Sequence, residues 1–310
     1  MIATNFIRTR LVAMLVFEPL IKLTEQEDHE FAEFIKSQRK IYIKSPKEAA
    51  KIATTQNKNK VDALLQSHKI SDAIVLLRQL AYDEFLKEES VFNGIILAEI
   101  GRKFDAPKAM LDQASKQLFE SNIESEADLK EKIIQLFGSY AGYISPYIYQ
   151  LCLSNTQSRR SRAGKVFEGI IYSLYEYFEF PYESQSAIGK KAFSDLRLGK
   201  VVDSILPSTK AFNEIRNKTI VGSMKTTLRE RWQEVVEEIS RSNLPNIYLL
   251  TVDDDISESK ASQMAQHNIV LVVLNTVKNQ DKLKTKRSII DFETYFTYEI
   301  PRVLDYWKTV

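Results

Sequence analysis

Residues 223–233 combine side chains that could act on a phosphodiester with side chains that could contact DNA bases. Ser223 and Lys225 lie two residues apart, so on a strand both side chains point to the same face. Asp203 precedes Lys225 by 22 residues, and Glu238 follows it by 13. Carboxylates bind hard divalent cations such as Mg²⁺, and a lysine beside them can stabilise negative charge on a phosphate. These residues predict metal-dependent hydrolysis of a phosphodiester.

A charged tripeptide, Arg229-Glu230-Arg231, begins a helix predicted over residues 228–241. It could simply be a solvated first turn, but arginines there oppose the helix dipole, and acidic residues are more usual. Arginine binds O6 and N7 of guanine through two parallel hydrogen bonds, and a carboxylate accepts a hydrogen bond from N4 of cytosine. The tripeptide is therefore chemically suited to reading adjacent C:G pairs.

Other kinds of site find little support. Taken singly, Asp203 and Glu238 would be interpreted as solvated or salt-bridged carboxylates, although Asp203 interrupts an apolar run in which a buried charge needs a partner. The three histidines, His29, His68 and His267, are too scattered for a zinc site. The chain has nine glycines and no glycine-rich phosphate loop, which argues against a nucleotide site.

The composition is that of a globular protein with one large or two medium domains, since 44% of the 310 residues are hydrophobic and 27% are charged. A single cysteine, Cys152, excludes an internal disulfide framework and fits a reducing compartment. The first 21 residues have a basic flank and a short apolar run, but Glu18 and Lys22 interrupt the pattern and no signal-peptide cleavage site follows. No apolar stretch reaches about 18 residues, so we expect a cytoplasmic protein without membrane spans.

Positive charge is concentrated in one segment. The net charge of the chain is only +2, yet residues 156–231 carry 14 Lys and Arg against 8 Asp and Glu. Residues 1–150 carry 20 against 21. The basic segment is either a solvated helix face or a surface that contacts phosphates.

The first 150 residues predict a mostly helical domain that carries no recognisable chemistry. Apolar residues recur at helical spacing over residues 61–89 and 127–140, and a further helix is predicted to begin at Pro107. The polar residues 57–60 predict a loop.

Residues 151–310 predict an α/β domain with a central sheet flanked by helices. Short β-branched runs predict strands at 200–206, 218–224, 246–252 and 268–274, and helices are predicted at 159–177, 228–241, 258–267 and 290–307. The last two strands are nearly all apolar, which indicates that both faces of the sheet are covered.

Two blocks of residues resemble a known family, the type II restriction endonucleases of the CCGG group. The likeness is closest to the branch of that group that reads CCNGG or CCWGG. One block runs from Gln157 to Glu168, and the other comprises Asp203, Ser223-Met224-Lys225, Arg229-Glu230-Arg231 and Glu238. A looser likeness extends over residues 150–275.

The resemblance implies a restriction-endonuclease-like PD-(D/E)xK fold with a mixed central sheet, and Mg²⁺ as cofactor. It implies that Asp203, Glu168 and Glu238 bind the metal, that Lys225 stabilises the scissile phosphate, and that Ser223 stands where most such nucleases have an acid. It also implies that Arg229 and Arg231 each bind a guanine, that Glu230 bridges two cytosines, and that Gln157 reaches a guanine from the minor groove. Arg159, Arg160, Arg162 and Lys165 are weaker candidates for contacts with the DNA backbone. One departure from the family pattern is Val202, which stands where a proline usually precedes the aspartate.

The resulting hypothesis is a homodimeric restriction endonuclease that cuts double-stranded DNA at a palindrome containing CCNGG, or CCGG, before the first C. In the CCNGG branch the central base pair can be flipped out of the duplex, at a cost of a few kcal/mol. The N-terminal domain could wrap DNA, extend the site or brace the dimer. Two alternatives remain: a DNA-binding protein that has lost cleavage, and a structure-specific repair nuclease on the same core.

Overall fold

The structure is a computed structural model that describes residues 20–309 other than 197, 200, 230, 231 and 243, with the backbone alone at 190, 192, 238 and 241. Helices predominate. Those of six or more residues are α1 Glu25–Tyr42, α2 Pro46–Gln56, α3 Lys58–Gln66, α4 Ile70–Lys103, α5 Asp105–Glu120, α6 Glu126–Tyr143, α7 Ser145–Tyr177, α8 Lys190–Asp195, α9 Thr209–Glu214, α10 Trp232–Ser242, α11 Glu258–Gln266 and α12 Ile300–Thr309. None of the described helices is long and apolar enough to cross a membrane.

Six strands form one mixed sheet in the order β1 to β6. They are β1 Glu183–Ser184, β2 Ser204–Leu206, β3 Ile220–Lys225, β4 Ile247–Thr251, β5 Ile269–Val273 and β6 Ile289–Asp291. The first three strands pair antiparallel, and β3 to β6 pair parallel. In register, Ser204 opposes Gly222 and Lys225 opposes Thr251, which brings the ends of β2, β3 and β4 together.

Both faces of the sheet are buried, as the nearly continuous apolar strands predicted. Tyr248 and Leu250 of β4 join a core cluster that includes Phe167 of α7, whereas Leu249 joins a second cluster with Val235 of α10. Successive side chains of a strand point to opposite faces, so β4 contributes to both cores.

Two compact units divide the chain, and neither is continuous in sequence. The first comprises Phe85–Arg160 and the described residues up to Lys44, around buried aromatic residues such as Phe31, Phe92 and Tyr147. The second comprises Ser45–Glu84 and the described residues from Ser161 onwards, and it contains the whole sheet.

The division predicted near residue 150 thus differs from these units, because residues 45–84 pack with the second one. Ala50, Ala53, Ile70 and Leu77 are all buried in the same core cluster as Phe167. Residue 150 itself falls inside α7, which runs without a break from Ser145 to Tyr177.

Several predicted elements change at their ends. The loop predicted at residues 57–60 is wrong, since α3 already begins at Lys58. The helix predicted over 61–89 is interrupted between α3 and α4, where His68 has a positive φ of 55°. The four predicted strands are present and shorter, although β3 ends one residue later than predicted, at Lys225. Strand β1 was not predicted, and β6 occupies the start of the helix predicted at 290–307.

Candidate active site

Asp203 and Lys225 form an ion pair where β2 begins and β3 ends. The backbone N–H of Asp203 donates to the carbonyl of Gly222 at 2.8 Å, which continues the pairing of the two strands. Lys225 Nζ lies 3.4 Å from Asp203 Oδ2, and the backbone N–H of Met224 donates to the same oxygen at 2.6 Å. Only 10% of the Lys225 side chain and 13% of the Asp203 side chain are exposed. Asp203 is therefore a buried carboxylate that has a lysine as its partner.

Gly222 of β3 lies opposite Ser204 of β2, next to this pair. A Cβ at Gly222 would lie 2.6 Å from the Ser204 hydroxyl oxygen, so a side chain there would force that hydroxyl to move. The glycine thus leaves room for Ser204 beside Asp203.

Glu168 brings a second carboxylate into the electrostatic field of Asp203. It lies on α7, and burial raises its pKa, as does the negative charge of Asp203. Lys165 Nζ, 4.0 Å from Glu168 Oε2, opposes this shift but is itself largely exposed to water. Burial also raises the pKa of Asp203, against the opposing effect of Lys225. The nearby lysines therefore do not fully offset the cost of burying the negative charges of Glu168 and Asp203.

Such a pair of oxygen donors fits a hard divalent cation, which prefers carboxylates and would relieve their repulsion. Among the described side chains, no group of three or more His, Cys, Asp and Glu is placed to hold a metal ion. The third predicted ligand, Glu238, lies in α10, but its side chain is outside the described residues. Glu168 and Asp203 are therefore the described part of the predicted ligand set.

The Ser223 hydroxyl is fully buried and has no hydrogen-bond partner among the described residues. By strand alternation it faces the same side of the sheet as Lys225. A buried polar atom without a partner is uncommon in folded proteins. Ser223 and Lys225 thus lie on one face of the sheet, and the role of Ser223 stays a prediction.

Tyr172 is a residue of this site that the sequence analysis did not single out. It lies one helical turn after Glu168 on α7, and its hydroxyl donates to the backbone carbonyl of Asp203 at 3.0 Å. Burial and the charges of Asp203 and Glu168 raise its pKa well above the usual range. The spacing of four residues from Glu168 was the available signal, because it places both side chains on one face of the helix.

Arg229 lies in a turn before α10, not in the helix itself. The helix predicted from residue 228 begins at Trp232 in the described chain. Arg229 is exposed and has a φ of 31°, in the left-handed region that an arginine seldom adopts. Glu230 and Arg231, the other two predicted base-reading residues, lie outside the described residues.

Asp253 anchors the turn in front of Arg229 and was not predicted either. Its Oδ2 accepts a 2.6 Å hydrogen bond from the backbone N–H of Leu228, whose side chain is fully buried. Asp253 follows β4, whose last residue, Thr251, pairs with Lys225. The carboxylate thus fixes the segment between Lys225 and Arg229.

The remaining predicted contacts all lie on α7. Gln157 and Arg160 are exposed in the first unit, where Arg159 forms an ion pair with the buried Glu89. In the second unit Lys165 is exposed, whereas Arg162 is buried. The burial of Arg162 does not fit its predicted role as a contact to the DNA backbone.

Comparison with known proteins identifies the family. The family model described as EcoRII C terminal matches residues 126–296. The chain belongs to the EcoRII C-terminal family. The type II restriction enzyme SsoII from Shigella sonnei is 43% identical over 148 residues, which cover 47% of this chain and 48% of SsoII. The match therefore spans about half the length of SsoII.

Solved structures confirm the predicted fold class. Metal-depleted Ecl18kI in complex with uncleaved, modified DNA superposes with a TM-score of 0.72 at 29% identity, covering 91% of this chain and 86% of that one. The complex of restriction endonuclease PspGI with substrate DNA gives a TM-score of 0.57 at 20% identity and covers 85% and 94% of the two chains, a likeness of fold. The family match and the identity to SsoII confirm the resemblance to this group of type II restriction endonucleases.

Proposed function

We propose that this protein is a type II restriction endonuclease that hydrolyses double-stranded DNA with the help of Mg²⁺. The observation that carries the proposal is the buried Asp203–Lys225 pair, with the Glu168 carboxylate beside it. Membership in the EcoRII C-terminal family and the 43% identity to SsoII support it.

The protein groups divide the work by their chemistry. Asp203 and Glu168, with Glu238, would hold the cation, which when bound supplies Lewis-acid activation and neutralises phosphate charge. Met224 orients the Asp203 carboxylate through its backbone N–H. Lys225 carries a positive charge that stabilises the extra negative charge on the phosphate during attack by water. Ser223 lies beside Lys225 on the same strand. Cleavage leaves a 5′-phosphate on the cut strand.

Base reading is assigned to the segment after β3. Arg229 and Arg231 each bind a guanine, Glu230 accepts from two cytosines, and Gln157 contacts a guanine from the minor groove. Arg160 and Lys165 are the exposed candidates for phosphate contacts on α7, together with Arg159 beside its ion pair. The site read is a palindrome containing CCNGG, or CCGG, cut before the first C.

A palindrome presents the same half-site on each strand, so one catalytic cluster per chain implies a two-fold homodimer. Sedimentation of the free protein should then give a species of twice the 35.7 kDa chain mass. A monomer that nevertheless cuts both strands at one site would contradict this assembly.

The test is a digest of a fully sequenced phage DNA with purified protein, in Mg²⁺ and in EDTA, followed by sequencing of the ends. Discrete fragments formed only in Mg²⁺ are expected, and their ends give the site and the stagger. Uncut DNA that is still retarded in a gel would favour the cleavage-inactive binding protein. Random fragments or cuts at junctions would favour the repair nuclease.

A further inference from the structure

We infer that Tyr172 is a positioning residue of the catalytic cluster, which sets the distance between the Glu168 and Asp203 carboxylates through its hydrogen bond to the Asp203 backbone. The inference rests on the proposed function and deepens it. It concerns a tyrosine that touches neither the reacting atoms nor a metal ligand's carboxylate oxygen.

The two carboxylates reach the site from unrelated parts of the fold. Asp203 immediately precedes β2 and is fixed to β3 by its own N–H, while Glu168 belongs to α7, on the helical layer against the sheet. The pairing of the strands does not control where the helix places Glu168, and the apolar core packs α7 against the sheet without contacting Asp203. A hydrogen bond from the helix to Asp203 itself would fix the separation of the two carboxylates more closely.

Tyr172 supplies that contact. Residues four apart on a helix lie on the same face, one turn from each other, so Glu168 and Tyr172 move together. The Tyr172 hydroxyl donates to the carbonyl of Asp203 at 3.0 Å, and the backbone N–H of Gln185 donates to the same carbonyl at 3.2 Å. The helix is thus tied to the residue that carries the second carboxylate.

The ring of Tyr172 also has a packing partner. It stacks on Tyr182 with ring centroids 5.3 Å apart and an interplanar angle of 14°. The Tyr182 hydroxyl points elsewhere, to Glu176 Oε1 at 3.1 Å. Tyr182→Phe is therefore a matched control. It removes a hydroxyl from the same stacked pair, and that hydroxyl does not contact Asp203.

The test compares Tyr172→Phe with Tyr182→Phe in the full-length protein. Titration with Mn²⁺, followed by the electron paramagnetic resonance signal of the free ion, measures metal binding without turnover. Tyr172→Phe should weaken Mn²⁺ binding about ten-fold, the lower end of the effect of removing a group that orients a metal ligand. Tyr182→Phe should bind Mn²⁺ as the wild type does, and both variants should share one thermal midpoint.

The rate of DNA cleavage at saturating DNA gives the second measurement. Tyr172→Phe should need a higher Mg²⁺ concentration for half-maximal rate, with unchanged affinity for DNA in EDTA. Wild-type Mn²⁺ affinity in Tyr172→Phe, with or without a lower thermal midpoint, would overturn the inference and leave the proposed function standing. A wild-type protein that makes no cuts would instead remove the proposed function, and the Mn²⁺ titration would still decide the role of Tyr172.

Discussion

A lysine with 10% of its side chain exposed, 3.4 Å from a similarly buried aspartate, is the feature on which the proposed chemistry depends. Burial strengthens the field that the Lys225 ammonium exerts on a bound phosphate, because little water lies between them. The same burial destabilises any carboxylate that lacks a partner. Function and stability therefore oppose each other at these residues.

The first prediction concerns Lys225→Ala, which should lower the cleavage rate at least about 100-fold, as expected for loss of a preorganised charge at the transition state. Binding of the cognate duplex in Ca²⁺ should persist, because the base-reading segment is untouched. Single-turnover cleavage and gel retardation measure the two effects. Lys282→Ala, an exposed lysine outside the site, is the control. Near wild-type cleavage by Lys225→Ala would show that the lysine is not catalytic.

The second prediction concerns Glu168→Gln in a metal-free buffer. The pKa of Glu168 is raised by burial and by Asp203, so its charged form is unfavourable in the folded protein at neutral pH. Removing that charge should stabilise the protein, and about 1 kcal/mol would raise the thermal midpoint by about 2 °C. Cleavage should fall at the same time.

Mg²⁺ should raise the midpoint of the wild type and have a smaller effect on Glu168→Gln, because a cation relieves the same repulsion. Scanning calorimetry with EDTA and with Mg²⁺ measures both shifts, and the exposed Glu214→Gln is the control. A variant less stable than the wild type in EDTA would mean that Glu168 is favourably paired in the free protein.

At the scale of elements, the segment from Lys225 to Arg229 connects the proposed catalytic lysine to the first of the proposed base-reading residues. Asp253 holds the Leu228 amide at 2.6 Å, and the next residue, Arg229, has a left-handed backbone. That conformation costs an L-residue about 1 kcal/mol or more and persists only where neighbouring contacts impose it. The buried Leu228 side chain and Asp253 are those contacts.

The third prediction is that Asp253→Ala weakens reading more than chemistry. Loss of a charged acceptor for a backbone N–H should cost about 1–3 kcal/mol of stability. The ratio of cognate to single-base-variant affinity should fall, since Arg229 is no longer held in place. Competition binding with the two duplexes measures this ratio, with the exposed Asp254→Ala as control. An unchanged ratio would show that the turn is not part of the reading surface.

Sequence periodicity predicted the existence of the main elements better than their ends. The sheet strands were recognisable because β4 and β5 are almost wholly apolar. The start of α10 was not, because the turn before it depends on a carboxylate that lies 25 residues downstream of Leu228. The three-residue strand β6 is too short to show a period of its own.

The candidate site shows the same limit. Asp203 and Lys225 could be found from residue type and spacing, and the structure pairs them. Tyr172 and Asp253 act through single hydrogen bonds to the backbone, and such bonds follow from tertiary packing. A tyrosine among 14 and an aspartate in the run 253–255 carry no mark of that role in the sequence alone.

At the scale of the molecule, the chain separates into units that the order of its residues does not suggest. Residues 45–84 contribute buried side chains to the core cluster of Phe167 and Phe292, although the rest of their unit begins only at Ser161. The sheet with its catalytic pair therefore depends on an N-terminal segment outside the matched residues 126–296.

The fourth prediction follows for the fragment 151–310, the catalytic domain expected from sequence. Without Ala50, Ile70 and Leu77 its core is open, so it should be insoluble or unfold without a cooperative transition. Co-expression with residues 1–150 should restore a soluble complex, because those residues supply the missing core side chains. This control shows that the fragment can fold when its partners are present. Circular dichroism during heating measures the transition. A cooperative transition in the isolated fragment would mean that residues 45–84 are dispensable for the fold.

The split of the second unit also has a consequence for its synthesis. Helices α2 and α3 leave the ribosome long before their partners in α7 and around Phe292 exist. At roughly 5–20 residues per second, about 200 residues of further translation take on the order of 10–40 s. During that time the faces that will bear Ala50 and Leu65 against the core are open to water and to other nascent chains. The segment 45–84 can therefore complete its core only after the residues around Phe292 have been synthesised.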